Sequence, residues 1–259
     1  GGSSVTGSNF VGTSLNVQLR TNATSLTVGG DNDGQLGKIS GANLTLYGSG
    51  IYQFKGANDY TGSTVVAETS SLRLGAANVI PDLSSVTLSS SSNVLELGDF
   101  SETIGNLMGS GVVRSVGLSN SVLITGKEAT MATFNGVIQD GTGTVHITKE
   151  GTGTWNLTKA NSFSGLMTVT AGKVNMTNAL ALGTNAQGTV VASGAALEIQ
   201  GSMTVANEAL TISGTGISSG GALRLVSGDV NWSGPIIASA STPRMVIASG
   251  SWNQTGDVM

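Results

Sequence analysis

Gly48-Ser49-Gly50-Ile51-Tyr52-Gln53-Phe54-Lys55-Gly56-Ala57-Asn58-Asp59-Tyr60-Thr61-Gly62 returns later in the chain as Gly151-Thr152-Gly153-Thr154-Trp155-Asn156-Leu157-Thr158-Lys159-Ala160-Asn161-Ser162-Phe163-Ser164-Gly165. Asn58 and Asn161 are 103 residues apart, and so are Gly62 and Gly165. Self-similarity at a fixed offset is the mark of a chain built by stacking one unit on the next.

The unit extends beyond the quoted stretch. Its opening reads Gly37-Lys38-Ile39, then Phe134-Asn135-Gly136-Val137-Ile138, then Trp232-Ser233-Gly234-Pro235-Ile236. Leu95-Glu96-Leu97 and Leu197-Glu198-Ile199 follow at an offset of 102. The repeat units fall at about residues 1–36 (degenerate), 37–133, 134–231 and 232–259 (truncated), within one continuous domain over 1–259. Drift in the offset is what insertions at turns produce. The chain opens on Gly1 and stops at Met259 inside its third unit, so a fragment of a longer protein is expected.

Between the repeats the chain alternates apolar and polar residues over four to six positions. Ser71-Leu72-Arg73-Leu74, Thr144-Val145-His146-Ile147 and Ala222-Leu223-Arg224-Leu225-Val226 are examples. Each run is bounded by Gly, Ser, Asn or Asp, which is the strand signal. Glu102 to Met108, the best helical candidate, is short and is interrupted by Gly105. A sandwich or a barrel could give this strand spacing, but the long internal period favours a β-solenoid. The expectation is all-β: a right-handed parallel β-helix of about 11–12 coils, on the order of 55 Å long at ~4.8 Å per coil.

Composition narrows the function. The 259 residues carry 10% charged side chains and a net charge of −4, with no Lys/Arg stripe, so a nucleic-acid partner is not expected. With no cysteine there is no disulfide framework, thiolate metal site or Cys nucleophile. No apolar run reaches the roughly 18 residues of a helical membrane span.

The runs Phe134-Asn135-Gly136-Val137-Ile138, Thr148-Lys149-Glu150-Gly151-Thr152-Gly153-Thr154-Trp155-Asn156-Leu157 and Ala160-Asn161-Ser162-Phe163-Ser164-Gly165 resemble the autotransporter-associated β-strand repeat, also called the passenger-associated transport repeat. The copy through Gly62-Ser63-Thr64-Val65-Val66 matches as well, but lacks the late Gly. The third copy departs at Ile247-Ala248-Ser249. The resemblance implies a β-helical passenger, secreted through an outer-membrane barrel or part of a long bacterial surface protein. It implies an adhesin, aggregation factor or stalk rather than one defined activity.

The repeat residues also have a direct physical reading. Asn58 and Asn161 can adopt a left-handed conformation or bond turn backbone. Gly62 and Gly165 permit positive φ at a corner. Tyr60 and Phe163 are expected to fold over the coil edge. All six are read as structural.

Candidate chemistry is sparse. His146 alternates with Val145 and Ile147 and is expected to face outward. A histidine zinc site would need carboxylates from other coils. Asp31-Asn32-Asp33-Gly34 makes Asp31 and Asp33 a calcium candidate, though the EF-hand spacing is incomplete and Asp33-Gly34 is equally a turn. Glycosidase chemistry needs two carboxylates about 5–10 Å apart. Asp99 and Glu102 are the nearest local pair, while Glu96 and Glu198 read as outward rod positions.

The expected function is therefore a non-enzymatic, secreted or cell-surface rod with no cofactor beyond possible Ca²⁺: an adhesin, stalk or fibre segment. Its expected partner is a surface glycan, a protein receptor, or another copy joined through coil ends or faces. The alternative is a carbohydrate-active or tailspike-like β-helix that acts on or binds surface polysaccharide.

Overall fold

The computed structural model describes residues 3–5, 17–21, 25–28, 38–239 and 242–259. Short strands wind round a common interior and pair in parallel with the strands of the coils before and after. One sheet runs the length of this rod, with eleven strands from Val17–Thr21 to Met245–Ile247. Ten full turns lie between those strands. The expectation of eleven or twelve coils counted the ends as complete.

Each turn visits up to three faces. Leu107–Gly109 lies on the first face, Val112–Arg114 on the second and Ser121–Thr125 on the third, and Ala132–Phe134 is back on the first. The second face holds a seven-stranded sheet from Ser3–Val5 to Val137–Ile138. A three-stranded sheet of Met203–Val205, Asp229–Trp232 and Ser251–Gln254 takes the same place in the last coils. The third face begins at Ser101–Thr103 and continues to Ile236–Ala238. Among the described residues the single helical element is a 3₁₀ turn, Ile217–Ser219.

Alternation fixes which side chains enter the rod. Along the first face Leu46, Val66 and Leu88 stack in register, and further on so do Phe134, Leu157, Met176 and Ile199. All are buried. Burial of each such side chain contributes about 1.5–3 kcal/mol, so these columns outweigh any exposed ion pair. Their outward neighbours are polar, as in Thr133, Asn156, Asn175 and Glu198.

The repeated segment does not return to the same face. Ile51–Phe54 of the first copy pairs within the seven-stranded sheet. Its counterpart Thr154–Leu157 lies in the eleven-stranded sheet. The offset of 103 residues thus spans four turns and two faces of a fifth. Ser251–Gln254 of the third copy lies one face on from Thr154–Leu157, after four further turns. Glu96 and Glu198, at equivalent repeat positions, consequently sit on the second and first faces.

Candidate functional site

The repeat-defining residues stitch coil to coil. Asn161 accepts the Ile138 N–H on Oδ1 at 2.8 Å, and its Nδ2 donates to the Ala181 carbonyl at 2.6 Å. Asn58 does the same with the Ile39 N–H at 2.9 Å and the Val79 carbonyl at 2.8 Å. Each partner is 19 to 23 residues away, so each Asn joins the coil before its own to the coil after. A parallel coil leaves its corner N–H and C=O groups outside the strand ladders, and a buried one left unpaired is costly. An amide carries a donor and an acceptor and serves both neighbours. Both Asn residues have negative φ, so they do not act through a left-handed turn.

Gly62 and Gly165 also lack positive φ. Their requirement is space. A Cβ at Gly165 would fall on the Val145 carbonyl oxygen, and one at Gly62 would meet the Ala42 carbonyl oxygen at 2.5 Å. The aromatic rings enter the rod instead of lying over its edge: Tyr60 and Phe163 are both buried. The Tyr60 hydroxyl bonds Thr64 Oγ1, which also bonds Ser84 Oγ at 2.9 Å. Burial pushes the Tyr60 phenol well above its ordinary value.

Asp99 and Glu102 do not form a working pair. Exposed Asp99 accepts the Ser119 N–H of the next coil, while Glu102 points into the rod. Glu102 accepts the N–H groups of Val79 and Ile80, at 3.1 and 2.8 Å, from the coil before. Burial raises its carboxyl to about 7 despite those bonds. Glu208 is likewise inside, with Thr189 Oγ1 at 2.8 Å, and burial raises it to about 7.

Lys149 is buried too, and it points inward with Val145 and Ile147. Its Nζ donates to the carbonyls of Glu150 and Gly151 at 2.5 and 3.0 Å, and burial lowers it to about 8. Its position was legible in the alternation, because residues 145, 147 and 149 share a side. Glu102 and Glu208 gave no comparable signal.

Outer-face carboxylates pair with cations from adjacent coils. Glu96 lies between Arg73 and Arg114, each at 2.6 Å. Burial opposes its charge, but the two guanidinium hydrogen bonds prevail and hold the carboxyl below its usual range. Glu198 takes Lys173 at 3.0 Å and Arg224 at 3.2 Å. His146 is on the outer side, as expected, and its Nδ1 accepts the Leu166 N–H at 3.0 Å. Among the described residues no three His, Cys, Asp or Glu side chains gather into a metal site. Asp31 and Asp33 lie outside the described residues.

Residues 44–68 and 147–176 match the family model of the passenger-associated-transport-repeat. The matches span Leu44–Gly48 to Thr64–Val66 in one copy and the stretch from within Val145–Lys149 to Lys173–Met176 in the other, so they too are one face out of phase. A repeat of this family implies association with an autotransporter passenger, and through it a secreted or cell-surface location. No curated protein and no solved structure matches the chain.

Proposed function

We propose that this chain is a non-enzymatic rod segment of a passenger-type protein, serving as the shaft of an adhesin, a stalk or a length of surface fibre. The observation that carries this reading is where the polar side chains go. Asn58, Asn161, Asp99 and Glu102 are committed to backbone groups of neighbouring coils, and Glu96 and Glu198 to cations on neighbouring coils. Side chains used in this way fix the stacking of a solenoid whose units contact only their neighbours.

The alternative of a polysaccharide-cleaving β-helix calls for two carboxylates facing each other about 5–10 Å apart. The best sequence pair, Asp99 and Glu102, points to opposite sides of the coil wall. A secreted rod has its outer faces free for a glycan or protein receptor.

Small-angle scattering of the purified chain tests the shape, with an elongated particle on the order of 55 Å in its long axis expected. Incubation with bacterial and host polysaccharides tests the chemistry, and no release of reducing ends is expected. A compact sphere, or turnover that survives repurification, would overturn the proposal.

A further inference from the structure

Phe134-Asn135-Gly136-Val137-Ile138 turns the corner from the first face to the second. Asn135-Gly136 is the only Asn-Gly pair in the sequence. In such a pair the glycine backbone nitrogen can attack the asparagine side-chain amide carbon, because no Cβ shields it.

Coil stacking requires this glycine. A Cβ at position 136 would fall on the Gly111 carbonyl oxygen of the preceding coil. The residues on either side are tied down: Asn135 N donates to the Gly109 carbonyl at 2.7 Å and Val137 N to the Gly111 carbonyl at 3.0 Å. Among the described residues no backbone acceptor takes the Gly136 N–H. The two Asn-Ser pairs differ on this point. The N–H groups of Ser121 and Ser162 donate to the Thr144 and Ile138 carbonyls at 2.8 and 2.9 Å. A nitrogen engaged in that way must give up its hydrogen bond before it can attack.

The electrophile is also prepared. Asn135 is exposed to water, and Thr158 of the following coil donates its hydroxyl to Asn135 Oδ1 at 2.6 Å. A donor on that oxygen stabilises the negative charge it gathers when the amide carbon is attacked.

We propose that Asn135 is a site of spontaneous deamidation, with Gly136 N as nucleophile and the Thr158 hydroxyl as the donor to the developing oxyanion. The bond from Gly136 N to Asn135 Cγ forms, and the Cγ–Nδ2 bond breaks. The amide nitrogen leaves as ammonia, carrying away the proton of Gly136 N, and a cyclic imide remains. Water then opens the ring at one of its two carbonyls, giving aspartate or isoaspartate. Each event adds one negative charge to an uncharged corner, on a chain of net charge −4. The rod thereby acquires a chemical mark of age at a defined place.

The test is incubation of the whole folded chain in ¹⁸O-labelled water at mildly alkaline pH, followed by digestion in ordinary water and peptide mass spectrometry. Asn135 should take up the label and convert faster than Asn120 and Asn161. Thr158→Val removes the hydroxyl at nearly constant shape and should slow conversion about fivefold, the effect of losing one neutral hydrogen bond. Thr158→Ser should restore the rate. In urea, where stacking no longer brings residue 158 to Asn135, the parent chain and Thr158→Val should convert alike. Conversion at Asn135 no faster than at Asn120 or Asn161 in the folded chain would overturn the proposal, as would equal rates for folded parent and folded Thr158→Val. The rod reading would survive either result, because scattering tests it independently.

Discussion

Tyr52 and Trp155 hold the same place in two copies of one repeat, yet Tyr52 enters the interior from the second face and Trp155 from the first. Each ring finds a backbone carbonyl: Tyr52 Oη donates to Leu19 O at 2.8 Å and Trp155 Nε1 to Leu107 O at 3.1 Å. The same local code of strand, Asn corner and strand is therefore read on different faces of the rod. The repeat specifies a corner and its two flanking strands rather than a fixed side of the molecule.

If the Asn corners hold the coils together, their loss should be felt in proportion to burial. Asn161→Ala strands the Ile138 N–H and the Ala181 carbonyl and should cost about 2–3 kcal/mol. Asn58→Ala, at a half-buried site where water can replace the amide, should cost about 1 kcal/mol. Chemical denaturation of the two variants measures the difference. Equal and negligible losses would mean that the stitches are incidental.

Gly165 is required for close approach and not for its φ. Gly165→Ala should destabilise by about 1–3 kcal/mol through overpacking on the Val145 carbonyl. Gly194 is the contrasting case, with φ of 85° and no atom within 4 Å of an added Cβ. Gly194→Asn should change stability by no more than about 0.5 kcal/mol, since Asn tolerates that backbone region. Paired thermal melts would show the ranking, and a reversed order would refute it.

Stability should fall as pH rises through the neutral range. Glu102 and Glu208 go from 4.5 to about 7 on folding, so the folded chain binds more protons than the unfolded chain in that window. Their contribution is complete below pH 4.5 and is lost as pH rises through about 7. Asp82 strengthens the effect at Glu102, the hydrogen bonds from Val79 and Ile80 weaken it, and Tyr60 is the other titratable group nearby. At Glu208 the Thr189 hydroxyl weakens it. Lys149, lowered from 10.5 to about 8, acts in the opposite sense, and its contribution grows only as pH rises from about 8 to 10.5. The urea midpoint should be higher at pH 5 than at pH 8, and Glu102→Gln should reduce that difference. A flat profile would contradict the burial of both carboxyls.

The Arg73–Glu96–Arg114 stack clamps three consecutive strands of the second face. Glu96→Gln keeps the shape but removes the charge and should cost about 1–2 kcal/mol, because both arginines remain more than a third solvent-exposed on average. The loss should shrink in 1 M salt, where screening falls to about 3 Å. A salt-independent loss would point to packing alone.

Strand identity was legible from alternation, and Val145-His146-Ile147 is a strand with His146 outward as its pattern implies. The solenoid was legible from the repeat, because a long internal period favours stacked coils over a sandwich or a barrel. The phase of the repeat around the rod was not. An offset of 103 residues gives whole or fractional turns according to coil lengths, and these vary from 19 residues between Leu157 and Met176 to 27 between Leu19 and Leu46. Recurrence marks the corner residues, but it does not carry their mechanism. Sequence shows Gly and Asn as turn formers, whereas the demand on Gly165 comes from a carbonyl 20 residues away. The loss of the second-face strand from two successive coils, those of Thr154–Leu157 and Lys173–Met176, is likewise announced by no local pattern.

Distances along the first face test the solenoid most directly, and a chain without cysteine makes the labelling simple. A spin label at Thr45 can be paired in turn with one at Thr87, Thr133 or Arg224, which lie two, four and eight turns further along the eleven-stranded sheet. Pulsed electron–electron double resonance should give separations rising in proportion, near 10, 19 and 38 Å at ~4.8 Å per turn. A Thr45–Arg224 distance no longer than Thr45–Thr133, as a closed barrel or sandwich would give, would contradict the stacked-coil account.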